Sequence, residues 1–175
     1  MIERTHSEDG CVSSAVYSPC ETYRYALTRV WDEAKPKLCF VMLNPSKATE
    51  AQNDPTIERC QRRAVALGYG AVRAVNIFAL RQTDPHVMRK HADAEGPDNA
   101  QAILDAVCWA DVTIAAWGTH GAHLGQGPKV ATLLRGKGHV MHHLGLTKDG
   151  HPRHPLYVAY SEVPQLWDQT DDPRL

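Results

Sequence analysis

An unbroken apolar run, Leu38-Cys39-Phe40-Val41-Met42-Leu43, constrains this chain more than any other stretch. A strand with one wet face alternates apolar and polar side chains, whereas a continuous run has to be covered on both faces. The run stops abruptly at Asn44-Pro45-Ser46, because proline brings no ladder donor and fixes its own φ. Asp54-Pro55 then offers an N-cap followed by proline at the first helical position, where a missing N–H costs nothing. In an open α/β sheet, ligands bind beyond the carboxyl end of a strand. The loop from Asn44 to Asp54 is therefore the first candidate for function.

The rest of the chain repeats this alternation. Tyr23 to Trp31 reads as an edge strand, and Asp54 to about Leu67 as a helix with Ile57, Cys60, Ala64 and Leu67 on one face. A second strand spans Ala71 to Ala79, and Thr83-Asp84-Pro85 opens a short helix. A helix follows Gly96-Pro97-Asp98, a third strand runs from Val112 to Trp117, a helix from Pro128 to Leu134, and a fourth strand from His139 to Leu144. Strands alternating with helices are the grammar of a three-layer α/β/α sandwich around a mainly parallel sheet. With 175 residues the chain has room for one such domain. Its expected limits are 23–163, preceded by an irregular segment 1–22 and followed by a polar tail 164–175.

Bulk composition excludes little. A net charge of −1 announces neither nucleic acid nor a lipid surface, although a local basic patch would suffice for DNA. No apolar stretch approaches the ~20 residues of a membrane helix, and Met1-Ile2-Glu3-Arg4 is not a leader, so a cytoplasmic protein is expected. Cys11, Cys20, Cys39, Cys60 and Cys108 form no C-x-x-C pair, and no His-Glu-x-x-His pattern gathers the histidines. Neither metal nor cofactor is expected.

Four strand ends carry polar clusters, and a parallel topology brings all four to one sheet edge. They are Asn44-Pro45-Ser46 with Asp54, Asn76-Ile77-Phe78, Trp117-Gly118-Thr119-His120, and Thr147-Lys148 with Arg153-His154-Pro155-Leu156. Taken singly, each has an ordinary structural role. Asn44 can close a turn, Asp54 can cap a helix, Trp117 can fill a core and His154 can hold a loop. Asn76 is harder to explain that way, since an unpaired buried carboxamide costs ~1–3 kcal/mol. Absence of a G-x-S-x-G elbow, a Gly-rich phosphate loop or a G-x-G-x-x-G turn disfavours α/β-hydrolase, P-loop and dinucleotide chemistry. What remains is hydrolysis or transfer on a planar ligand, using an amide, a carboxylate and a histidine.

Met42-Leu43-Asn44-Pro45-Ser46, Asp54-Pro55-Thr56, Asn76-Ile77-Phe78-Ala79, Thr83-Asp84-Pro85, Ala116-Trp117-Gly118 and His154-Pro155-Leu156-Tyr157 resemble the bacterial family known as domain of unknown function 1643, over about Tyr23 to Tyr160. More distantly, the order of the four clusters is similar to the uracil-DNA glycosylase superfamily. That resemblance implies a uracil-DNA glycosylase-like fold and a metal-independent DNA glycosylase-like hydrolase of DNA repair or modification, releasing a mismatched or modified base by water attack on the sugar. It implies that Asn44 or Asp54 positions water and that His154 donates to the departing base. Asn76 would read the base edge and Phe78 or Tyr69 would stack on it, with Trp117 and His120 lining the site. Pro45, Ser46, Lys148 and Arg153 would grip phosphate. The chain departs from the pattern at Leu43, where a glycine leads the motif, and at Ser46, where glycine is common. Two other readings stay open beside this one: a small-molecule nucleotide or nucleoside enzyme on the same fold, and a non-catalytic nucleic-acid or nucleotide binding module. The partner is accordingly DNA or a nucleotide-like molecule, and the oligomeric state is left unassigned.

Overall fold

The computed structural model describes residues 1–168. Its elements in chain order are β1 (Ile2–Glu8), β2 (Cys11–Tyr17), β3 (Arg24–Val30), β4 (Lys37–Met42), α1 (Pro55–Ala66), β5 (Ala71–Asn76), α2 (Pro85–Met88), α3 (Asn99–Trp109), β6 (Val112–Ala115), α4 (Gln126–Gly136), β7 (His142–His143) and β8 (Gln165–Leu166). The eight strands form one sheet in the order β1-β2-β3-β5-β4-β6-β7-β8.

β4 runs parallel to β5 on one side and to β6 on the other, with Met42 opposite Asn76 and Val41 opposite Ala115. Its apolar run is covered on both faces. Leu38, Phe40 and Met42 pack with Ile57, Cys60 and Ala64 of α1. Cys39, Val41 and Leu43 face the opposite layer, with Ile103 and Val107 of α3 and Val130 and Leu134 of α4. Helices thus flank both faces of the sheet.

The sheet itself is mixed, which corrects the expectation of a mainly parallel one. β1 with β2, β2 with β3, β3 with β5 and β7 with β8 are antiparallel, leaving only β4 with β5, β4 with β6 and β6 with β7 parallel. Residues 2–17, expected to be irregular, form a hairpin. Asp9 and Gly10 adopt φ of 49° and 76° between Glu8 and Cys11, the left-handed pair that a two-residue hairpin turn requires. Ser13, Ala15 and Tyr17 alternate inward along β2, and the hairpin extends the sheet through β3. That makes β3 an interior strand instead of the expected edge. The uracil-DNA glycosylase fold expected from the resemblance, and the DNA repair or modification role that followed from it, conflict with this mixed topology.

At the other end the fourth strand shrinks to two residues, and part of the expected polar tail joins the fold. The Trp167 amide donates to the Met141 carbonyl at 2.9 Å. Its indole is buried edge-on against Trp117, with ring centroids 5.5 Å apart. The remainder of that tail, 169–175, lies outside the described residues. No helix among the described residues is long and apolar enough to cross a membrane.

Candidate functional site

From β4 the chain crosses to β5 through α1 on one face. From β5 it returns to β6 through α3 on the other face, and from β6 it leaves towards α4 on that same side. The connections after β4 and β6 therefore diverge to opposite faces, and such a switch point opens a crevice at the carboxyl ends of the two strands. A cleft of about 770 Å³ lies there. Leu43 and Asn44 border it after β4, Asp54 at the start of α1, Trp117 and Gly118 after β6, and His154 from the loop beyond β7.

The first wall is the loop from Asn44 to Asp54, which is stitched in place by its own side chains. Asn44 spends its Nδ2 on the carbonyls of Gln82, at 2.6 Å, and Pro45, at 3.1 Å. This leaves Oδ1 as the amide's group for a ligand. Asp54 caps α1 by accepting the Ile57 amide at 2.9 Å, while its other oxygen takes the Ala48 amide at 3.3 Å. A carboxylate bonded to two backbone donors is fixed in orientation, and each oxygen retains lone-pair capacity towards the cleft. Beneath the loop, the buried Arg24 guanidinium donates to the Ala48 carbonyl and Arg29 to the Thr49 carbonyl and the Asn53 side chain. Burial lowers the Arg24 pKa to about 10 against the opposing pull of Asp54.

His154 forms the opposite wall. Its Nδ1 accepts the Leu156 amide at 3.3 Å, which assigns the ring proton to Nε2. Burial drives its pKa from 6.5 down to about 4, with the Asp54 charge pulling weakly the other way. The ring is therefore neutral at pH 7, a hydrogen-bond donor and not a cation. Two arginines of α1 hold the turn that carries it. Arg59 donates to the carbonyls of Pro155 at 2.9 Å and Val158 at 2.6 Å, and Arg63 donates to those of Val158, Ala159 and Glu162. Gly118, packed beside this turn, has a φ of 70°, which favours glycine; a Cβ there would be in ordinary contact with the Cβ of His154, at 3.4 Å.

The other expected site residues divide. Ser46, Trp117, His120 and Arg153 border the cleft alongside Asn44, Asp54 and His154. Trp117 is a buried floor, 1% exposed. His120 stands edge-on to His86 at 5.5 Å, and burial lowers its pKa, helped by the charges of His86 and Arg89. Pro45, Asn76, Phe78 and Lys148 do not border the cleft. Pro45 is buried within the loop, and Lys148 is exposed outside it. Phe78 belongs to the core over α3 and α4, and Tyr69 packs against the other core. The Asn76 side chain is 2% exposed at the end of β5, and its main-chain carbonyl accepts from Asn99. Among the described residues, its carboxamide has no hydrogen-bond partner.

Sequence reasoning missed Lys47, Gln82, Thr83 and Tyr157, all of which border the cleft. Tyr157 is the most telling, being 81% exposed with its ring 5.9 Å from that of His154. An aromatic side chain left open beside a histidine offers a stacking surface, but exposure of a single tyrosine is not legible in sequence. Among the described residues, no group of three or more His, Cys, Asp or Glu side chains is placed to hold a metal ion. Burial pushes the Cys39 thiol up to about 12 and raises that of Cys60 as well, so both behave as core residues.

Comparison with known proteins finds no match among curated proteins or among solved structures. A family model does match, over residues 24–156, which includes the strand ends, the Asp54 cap and His154. The chain belongs to this family, described as a protein of unknown function (DUF1643).

Proposed function

We propose that the cleft binds a nucleotide-like small molecule and hydrolyses its N-glycosidic bond. The observation that carries this reading is the pairing of a doubly anchored Asp54 carboxylate with a neutral His154 donor across one crevice. Cleavage of a glycosidic bond builds positive charge on the sugar and negative charge on the departing base. Asp54 meets the first, and the Nε2–H of His154 meets the second. Because the ring is neutral and would have to become imidazolate to give up its proton, it donates a hydrogen bond without transferring the proton. The base leaves with the bonding electrons and takes its proton from solvent. Water, oriented by Asn44 Oδ1, forms the new C–O bond and releases its proton to Asp54. Tyr157 offers a shelf for the planar base, while Lys47 and Arg153 face the phosphate.

A small ligand suits the cleft better than a duplex. The volume falls in the range of small-molecule sites, and a net charge of −1 supplies no general attraction to a polyanionic rod. Incubation with the common nucleosides and nucleoside 5′-monophosphates, followed by chromatography, tests the proposal. Free base should appear with wild type and be lost in Asp54→Asn and His154→Asn. A cleft that binds no member of the panel and releases no base would refute it.

A further inference from the structure

A second cavity of about 480 Å³ opens beside the cleft, and the two share Ser46, Lys47, Gln82 and Thr83. They form one groove with a saddle between its halves. The saddle is held firmly: Asn44 Nδ2 donates to the Gln82 carbonyl, the Gln82 amide to the Pro45 carbonyl at 2.9 Å, and Ser46 Oγ to Thr83 Oγ1 at 3.3 Å. On the far side stands Arg81. Its guanidinium lies 5.1 Å above the centre of the Tyr17 ring, and Nη1 donates to the Glu21 carbonyl at 3.2 Å. Nε and Nη2 have no partner among the described residues, so the fork is oriented and still has donors to offer. Thr22 adds a hydroxyl to the same cavity. The one carboxylate there, Glu21, is engaged by Arg4.

We propose that this second cavity takes the distal phosphates of the ligand, so that the cleft is built for a nucleoside di- or triphosphate. The inference rests on the reading of the cleft given above. Arg153, Lys47 and Arg81 place a cation in the cleft, on the saddle and beyond it, each able to answer one phosphate along an extended chain. Hydroxyls of Ser46, Thr83 and Thr22 supply neutral donors between them.

Titration calorimetry at low salt tests this, using nucleosides with their 5′-mono-, di- and triphosphates. For whichever base binds, the triphosphate should bind about tenfold or more tighter than the monophosphate, a gap of about 1.4 kcal/mol or more. That gap should shrink as salt rises. Arg81→Gln should abolish the gain while leaving monophosphate affinity within about twofold. Thr22→Glu, which leaves Arg81 in place, should do the same by repulsion. Equal affinities for mono- and triphosphate, or a gain indifferent to both variants, would overturn the inference while leaving the nucleotide reading intact. Failure of every nucleoside, monophosphate, diphosphate and triphosphate to bind would overturn both. A dinucleotide binding as tightly as the triphosphate, with the same dependence on Arg81, would overturn the polyphosphate assignment in favour of a strand.

Discussion

Substituting His154 with asparagine isolates the energetic cost of keeping an imidazole neutral in the cleft wall. Asparagine Oδ1 occupies much the same place as the histidine Nδ1 that accepts the Leu156 amide, so the turn keeps its bond while the titratable group is lost. The folded-state pKa of about 4 lies below the unfolded value of 6.5, so the unfolded chain binds the proton first. Stability is therefore unaffected above about pH 7 and falls as pH drops through 6.5 towards 4. At roughly 1.4 kcal/mol per pKa unit, the full loss is about 3.5 kcal/mol; at pH 5 it is about 2 kcal/mol. Carboxylates titrating over the same window are common to both proteins and cancel in the comparison. Urea unfolding at pH 7.5 and pH 5 should show wild type losing about 2 kcal/mol more than His154→Asn between the two. Stability curves that stay parallel across this range, or a His154 proton resonance titrating near 6.5, would refute the assignment of a buried neutral donor.

Other substitutions probe the supports of the site. Asp54→Asn keeps the bond to the Ile57 amide but removes the charge at the start of α1 and the acceptor of the Ala48 amide, so unfolding stability should fall by about 1 kcal/mol while base release is abolished; retained turnover would show that no carboxylate is needed. Arg59→Ala removes the donor to Pro155 and one of the two arginines on Val158, so the His154 resonance should titrate closer to 6.5 and ligand affinity should drop. An unchanged titration would assign that clasp to stability alone. Gly121→Ala would put a methyl 2.0 Å from Cδ1 of Trp117, an overlap that should cost ~1–3 kcal/mol, lower the melting temperature and alter near-ultraviolet circular dichroism.

Features written in local chemistry were legible in the chain. The apolar run of β4 and the Asp54-Pro55 start of α1 announced themselves, because caps and burial act between near neighbours. Convergence of Asn44, Asp54, Trp117 and His154 followed from β4 and β6 being parallel, and those two strands are. Strand order was not legible. β3 pairs with β5 across a gap filled by β4 and α1, and nothing short-range encodes that choice. The Asp9-Gly10 hairpin did carry a readable signal, masked by the charged, outward-facing residues of β1. Asn76 was read correctly as a buried strand residue, but being buried put it out of reach of the cleft. Arg24 and Arg63 were invisible because a buried arginine is recognised only by the distant carbonyls it finds.

The contact between Trp167 and Trp117 has a consequence for how the molecule is made. Trp117 floors the cleft, yet the ring that closes its back follows directly on β8, the last strand in sequence among the described residues. The amino-terminal hairpin can pair as soon as it leaves the ribosome, since its partners are neighbours in sequence. The cleft must wait, because β8 reaches β7 only after residue 166 has emerged, and until then an apolar face behind the floor stands open. Site assembly thus waits on the segment that carries Trp167, and a chain stalled short of it would expose an apolar face beside the cleft.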